Sequence, residues 1–157
     1  MSNYLRPKIP GATIFFTVGL RTHGSDLLLR EIHLLRSAVQ RTLRERPVTV
    51  NAWVVLPDHM HCIWTLPAED HDFSTRWRVI KSRFSHGLPK GSQRSSDLKR
   101  KERGIWHRRF WEHHIRSKTD FDAHMDMCWM DPVRHGLVNR PEHWEFTSFA
   151  KLQKVTA

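Results

Sequence analysis

A single α+β domain is what this sequence predicts, with antiparallel strands packed against amphipathic helices. Three features carry that expectation. The 157 residues suffice to bury a core without disulfide staples. Two apolar runs, Val48 to Leu56 and His61 to Leu66, flank Pro57-Asp58 and read as an antiparallel strand pair. Elsewhere apolar residues recur at three- and four-residue steps, the spacing of a helix with one buried face.

Composition narrows the function classes. The chain carries 26 Lys and Arg against 16 Asp and Glu, a net charge of +10. A polyanion is the natural partner, and nucleic acid fits best because bases stack on exposed aromatic rings, of which seven tryptophans offer a supply. The bland reading is a solvated basic surface. Two cysteines, Cys62 and Cys128, make no disulfide framework. The first residues lack the apolar core of a signal peptide, and no apolar run approaches the ~20 residues of a membrane helix. No membrane partner is expected; the expected location is the cytoplasm, in association with the nucleoid.

The elements follow in order. Residues 1–11 hold Pro7, Pro10 and Gly11 and form no regular element. Tyr4, Arg6 and Lys8 make them a basic arm, which either touches phosphates or moves as a free end. Thr13 to Val18 is β-branched and aromatic, a buried first strand. From Ser25 the period changes. Ser25 or Asp26 caps a helix whose inner stripe is Leu28, Ile32, Leu35, Val39 and Leu43, and Pro47 ends it. Its outer face carries Arg30, Arg36, Arg41, Arg44 and Arg46, either solvated surface or a phosphate track. After the strand pair and an acidic loop, a second helix begins near Phe73-Ser74. Trp77, Ile80 and Phe84 point inward; Arg76, Arg78, Lys81 and Arg83 are expected to point outward, toward DNA.

Residues 87–104 mix Pro, Gly, Ser and Gln with Arg94, Lys99, Arg100, Lys101 and Arg103. They show no apolar period and read as a flexible basic loop, ordered by DNA or serving as a spacer. Arg108 and Arg109 extend the expected DNA-binding set into a fourth strand, Arg109 to Arg116. Thr119 or Asp120 then caps a last helix running to about Asp131 or Pro132. Phe121, Met125 and Cys128 form its inner stripe, while Asp120, His124, Met127 and Asp131 share a neighbouring face. Trp144 to Phe149 docks as an aromatic tail.

His59 and His61 are two apart on a strand and so share one face. Two such imidazoles can grip a divalent metal from one side, or stand as polar residues on a strand edge. Asp131 offers a hard oxygen ligand that completes the set; its alternative is an ordinary residue at a helix end. His124 reads as a surface helix residue.

These residues carry a resemblance. Asn51 to Trp64, with its His59-Met60-His61, resembles the His-hydrophobic-His (HUH) motif of the REP-associated tyrosine transposases, members of the single-tyrosine HUH transposase superfamily. Phe110-Trp111-Glu112-His113, Asp131 to Val138, and Pro141-Glu142-His143-Trp144 match in the same order, from about Phe15 to Phe149. The resemblance implies a ferredoxin-like antiparallel sheet covered by helices, the HUH transposase fold, as one domain over residues 1–157. It implies binding of single-stranded or hairpin DNA from palindromic repeats, by a monomer or a homodimer. It also implies Mg or Mn held by His59, His61 and Asp131. In that family a helix-borne tyrosine attacks a phosphodiester and leaves a 5′-phosphotyrosine, with the metal polarising the phosphate.

The tyrosine stands four residues before the Asn of an Asn-Pro-Val segment. Here those positions hold Met127 and Asp131, and a thioether cannot replace the phenol as nucleophile. The remaining tyrosine, Tyr4, is in the N-terminal arm. The expectation is a binder that has lost the covalent step. The alternatives are a nuclease using another nucleophile and a metal-free, sequence-specific DNA-binding regulator.

Overall fold

The computed structural model describes residues 6–89, 93–100 and 103–148. Tyr4, Lys101 and Phe149 lie outside the described residues. Among the described residues nine elements and one 3-10 turn follow in order: β1 (Thr13–Gly19), α1 (Leu27–Arg30), α2 (Ile32–Glu45), β2 (Thr49–Val55), β3 (His59–Thr65), α3 (Phe73–His86), α4 (Ser95–Arg100), β4 (Trp111–Ile115), α5 (Lys118–Arg134) and a turn at Pro141–His143. The four strands form one antiparallel sheet in the order β2-β3-β1-β4. With one helical crossover between β1 and β2 and another between β3 and β4, this is the expected ferredoxin-like arrangement.

Strand alternation builds two different faces. Ile14, Phe16, Val18, Met60, Cys62 and Trp64 face α2 and α3 and form the larger core. Trp64 stacks on Trp77 of α3, centroids 4.4 Å apart and planes within 9°. Phe15, Ala52, Val54 and Ile63 face the other way, under Cys128 of α5 and the tail residue Trp144. The tail runs beside β2. Val55 N donates to Phe146 O at 2.8 Å, Ser148 N to Trp53 O at 2.8 Å, and the Trp144 indole to Val55 O at 2.9 Å.

Three expectations about elements change. The helix expected from Ser25 is two helices, broken at Glu31. Asp26 does not cap it with its side chain, because its carboxylate is taken by Arg30 at 2.7 Å, and the Ser25 hydroxyl instead accepts from Leu27 N. The last helix is capped by Ser117, two positions before Thr119, through Asp120 N at 3.0 Å. It also runs past Pro132 to Arg134, with the proline in its last turn. Gly136, with φ +70°, ends it: Leu137 N reaches Pro132 O and Gly136 N reaches Val133 O, a Schellman closure.

The basic loop is not structureless either. Its described part contains α4, organised on a fully buried carboxylate. Asp97 receives both guanidinium nitrogens of Arg21 at 2.7 Å, Arg108 at 3.0 Å and the backbone N–H of Arg94 at 2.7 Å. A loop rich in cations gains order by wrapping one acid, which composition alone conceals.

Candidate metal centre and nucleic-acid surface

β3 begins at His59, and alternation sends His59 and His61 toward α5. α5 brings Asp131 over them. Asp131 Oδ2 lies 2.9 Å from His61 Nε2 and 3.9 Å from His59 Nε2. His135, immediately after α5, places its Nε2 3.4 Å from the same oxygen. Three imidazoles thus converge on one carboxylate, with the His59 ring edge-on to both His61 and His135.

The far nitrogens are tied down. His59 Nδ1 donates to Asp58 Oδ1 at 2.8 Å, which leaves its Nε2 lone pair aimed at the centre. His61 Nδ1 meets the Thr17 hydroxyl at 2.8 Å. Such partners fix the ring orientation and tautomer that a metal ligand needs. Burial disfavours the Asp131 carboxylate, yet the neighbouring His59 and His61 imidazoles hold its pKa well below the usual range. Burial likewise opposes charge on His59, and the nearby Asp131 and Asp58 carboxylates outweigh that and raise its pKa. A cation would meet an ionised carboxylate and oriented imidazoles.

His59, Asp131 and His135 offer ligand atoms within 4.8 Å of one another, a group able to hold a metal ion. His61, expected as a ligand, sits at hydrogen-bond distance from the same carboxylate. His135 was not expected. Its signal is the four-residue step from Asp131, hidden by the assumption that the helix stops at the proline. Met127 lies one turn before Asp131 on α5, half-buried against the inner core cluster.

The expected DNA-binding residues divide. Arg78, Lys81, Arg100 and Arg108 line a cleft of about 450 Å³ between α3 and the chain entering β4, together with Arg103, Trp106 and Phe110. Lys8, Arg94, Lys99 and Arg109 are exposed. Arg6 stacks on Phe110 at 3.9 Å and pairs with Glu112 at 3.0 Å. Arg83 is paired with Glu45 at 2.8 Å. Arg76 corrects its expectation. Its side chain is buried, pairs with Asp70 and donates to the carbonyls of Arg46, Pro47 and Asp72, so it fastens α3 internally and is not on the exposed surface where DNA contact was expected. It falls on the same stripe as Phe73 and Ile80, and the stripe decides.

A second histidine group stands where β4 meets α5. His113 donates to Asp120 Oδ2 at 2.8 Å, His124 Nδ1 lies 3.0 Å from Asp120 Oδ1, and the two rings stack at 4.6 Å. Their ligand atoms also lie within 4.8 Å of one another.

The fold and the centre define a ferredoxin-like domain with a histidine and carboxylate group clasped between its sheet and its last helix. The REP-associated tyrosine transposase of Escherichia coli K12 is 48% identical over 149 residues, spanning 95% of this chain and 83% of that protein. A Haemophilus influenzae relative carrying the same family name is 37% identical over 151 residues, 95% of this chain and 86% of its own. A solved REP-associated tyrosine transposase bound to a REP hairpin superposes with a TM-score of 0.85 at 46% identity, covering 96% of this chain and 84% of its own. No family model matches the chain. The chain belongs to the REP-associated tyrosine transposase family.

Proposed function

We propose that this protein binds palindromic-repeat DNA as a hairpin with single-stranded flanks, and that Met127 has removed its covalent cleavage step. One observation carries the reading. The imidazole and carboxylate centre is complete, while a methionine stands one helical turn before Asp131, where the family resemblance places the nucleophile. The solved relative bound to a REP hairpin supports the choice of DNA form.

His59, Asp131 and His135, with His61 beside them, would hold Mg or Mn. The carboxylate suits both ions. When bound, the cation supplies polarisation of a phosphodiester. The chain's own residues do the rest. Asp58 and Thr17 orient the imidazoles, Asp131 supplies negative charge, and exposed cations such as Arg78 and Arg109 draw in the strand. Met127 has no ionisable hydrogen, so no protein–phosphate bond forms there.

The test is a cleavage assay on labelled REP-type hairpin DNA with Mn, comparing the parent chain with Met127→Tyr. The expected result is binding by both, with cleavage and a denaturation-resistant adduct from the tyrosine variant alone. Cleavage by both would put the nucleophile elsewhere and refute the loss. Binding without cleavage by either would leave a DNA-binding protein whose centre is no longer catalytic.

A further inference from the structure

We infer that Trp111 is a stacking platform for an unpaired nucleobase of the DNA strand that runs to the metal centre. This rests on the DNA-binding reading above and adds where the single strand lies.

Register places the residue. Thr17 of β1 is the cross-strand partner of His61 on one side and of Trp111 on the other. Directly paired residues of an antiparallel sheet project from the same face, so His61, Thr17 and Trp111 form one transverse row. At about 4.8 Å per strand, the Trp111 backbone stands roughly 10 Å from that of His61. Thr17 itself holds the His61 ring. One end of the row is therefore part of the centre. The other end is bare: His61 is buried while Trp111 is 66% exposed, the most exposed large hydrophobic side chain among the described residues.

The path to the row is set by alternation along the same segment. Phe110 lines the basic cleft on the α3 side, and Trp111, the next residue, faces the α5 side with the centre. β4 is an edge strand, so a polyanion held in the cleft can reach the centre around this edge. Exposed Arg109 and Arg116 flank the tryptophan in sequence and complement phosphates. An indole presented there offers the flat, sequence-tolerant surface on which single-stranded bases stack. A lone exposed tryptophan is unremarkable on most surfaces. Its row beside His61 and its position on the sheet edge between the two sites distinguish this one.

Two probes test it: a REP-type stem–loop alone, and the same stem–loop with a single-stranded oligothymidine flank. Trp111→Ala should bind the flanked probe about 5- to 150-fold more weakly, the range for loss of one base–aromatic stack. It should bind the bare stem–loop unchanged, and Trp111→Phe should retain most affinity. In the unaltered protein, 5-iodouracil in the flank should photocross-link to Trp111. Equal affinity of parent and Trp111→Ala for the flanked probe, equal losses on both probes, or cross-linking only elsewhere would overturn the inference. If the unaltered protein binds neither probe, the DNA reading itself fails. Should Trp111→Ala fail to fold, Trp111→Phe and the cross-link still decide.

Discussion

A single hydroxyl illustrates how the centre is tuned. Thr17 lies on β1, yet it sets the direction in which the His61 ring presents its other nitrogen. Thr17→Val keeps the shape and deletes the hydrogen bond. The expected outcome is Mn binding weakened by about 10- to 100-fold, measured by titration calorimetry, with no change in melting temperature beyond the cost of one hydrogen bond. The cysteines behave oppositely. Burial pushes the Cys128 thiol up to about 12, with Asp131 adding to it, and burial also raises Cys62. Neither should react with a thiol-specific dye at neutral pH until the protein is unfolded, whereupon both should. At this scale the sequence was legible where periodicity is rigid. His59 and His61 share a face in any strand. His135 escapes this reading because a proline reads as a helix end, whereas Pro132 lies within the last turn of α5.

Among the elements, α5 and α4 show what decides legibility. α5 was readable from its stripe of Phe121, Met125 and Cys128, and its start was misplaced by only a few residues because several polar side chains compete to cap it. α4 was unreadable, since its order comes from a carboxylate surrounded by arginines from distant parts of the chain. Arg21 first, then the Arg94 N–H, hold the Asp97 carboxyl far below the usual range, against the opposing effect of burial. A depressed carboxylate pKa stabilises the fold above the ordinary aspartate value near 4, and that stability is lost as pH falls toward the depressed value. Asp97→Asn should therefore lower the melting temperature at neutral pH. It should also flatten the decline below about pH 4 relative to the parent, and hasten proteolysis within residues 87–104.

Taken whole, the molecule keeps its basic cleft and its histidine centre on opposite faces of one thin sheet. If charge drives the proposed DNA binding at the cleft, log Kd should rise with log salt by ~0.7 for each single-strand phosphate neutralised and ~0.9 for each duplex phosphate, read from anisotropy titrations. A slope below about one would mean that the +10 charge is mere solvation. Among the described residues no helix is long and apolar enough to cross a membrane. The overall charge was evident from composition and the pairing of β2 with β3 from the Pro57-Asp58 turn, while the rest of the sheet followed only from the family resemblance. The separation of the two sites was not, because it depends on which side of β4 each neighbouring residue takes.

The tail that runs along β2 has a consequence of its own. By supplying partners to Trp53 and Val55, it closes one margin of the sheet, and among the described residues the margin at β4 stays unpaired. Any intruding strand, from a second copy or an aggregating neighbour, would find its free backbone groups there, beside Trp111. Occupancy by nucleic acid and lateral growth of the sheet would then compete for the same ground, so that loading the protein with its ligand also shields its most adhesive border.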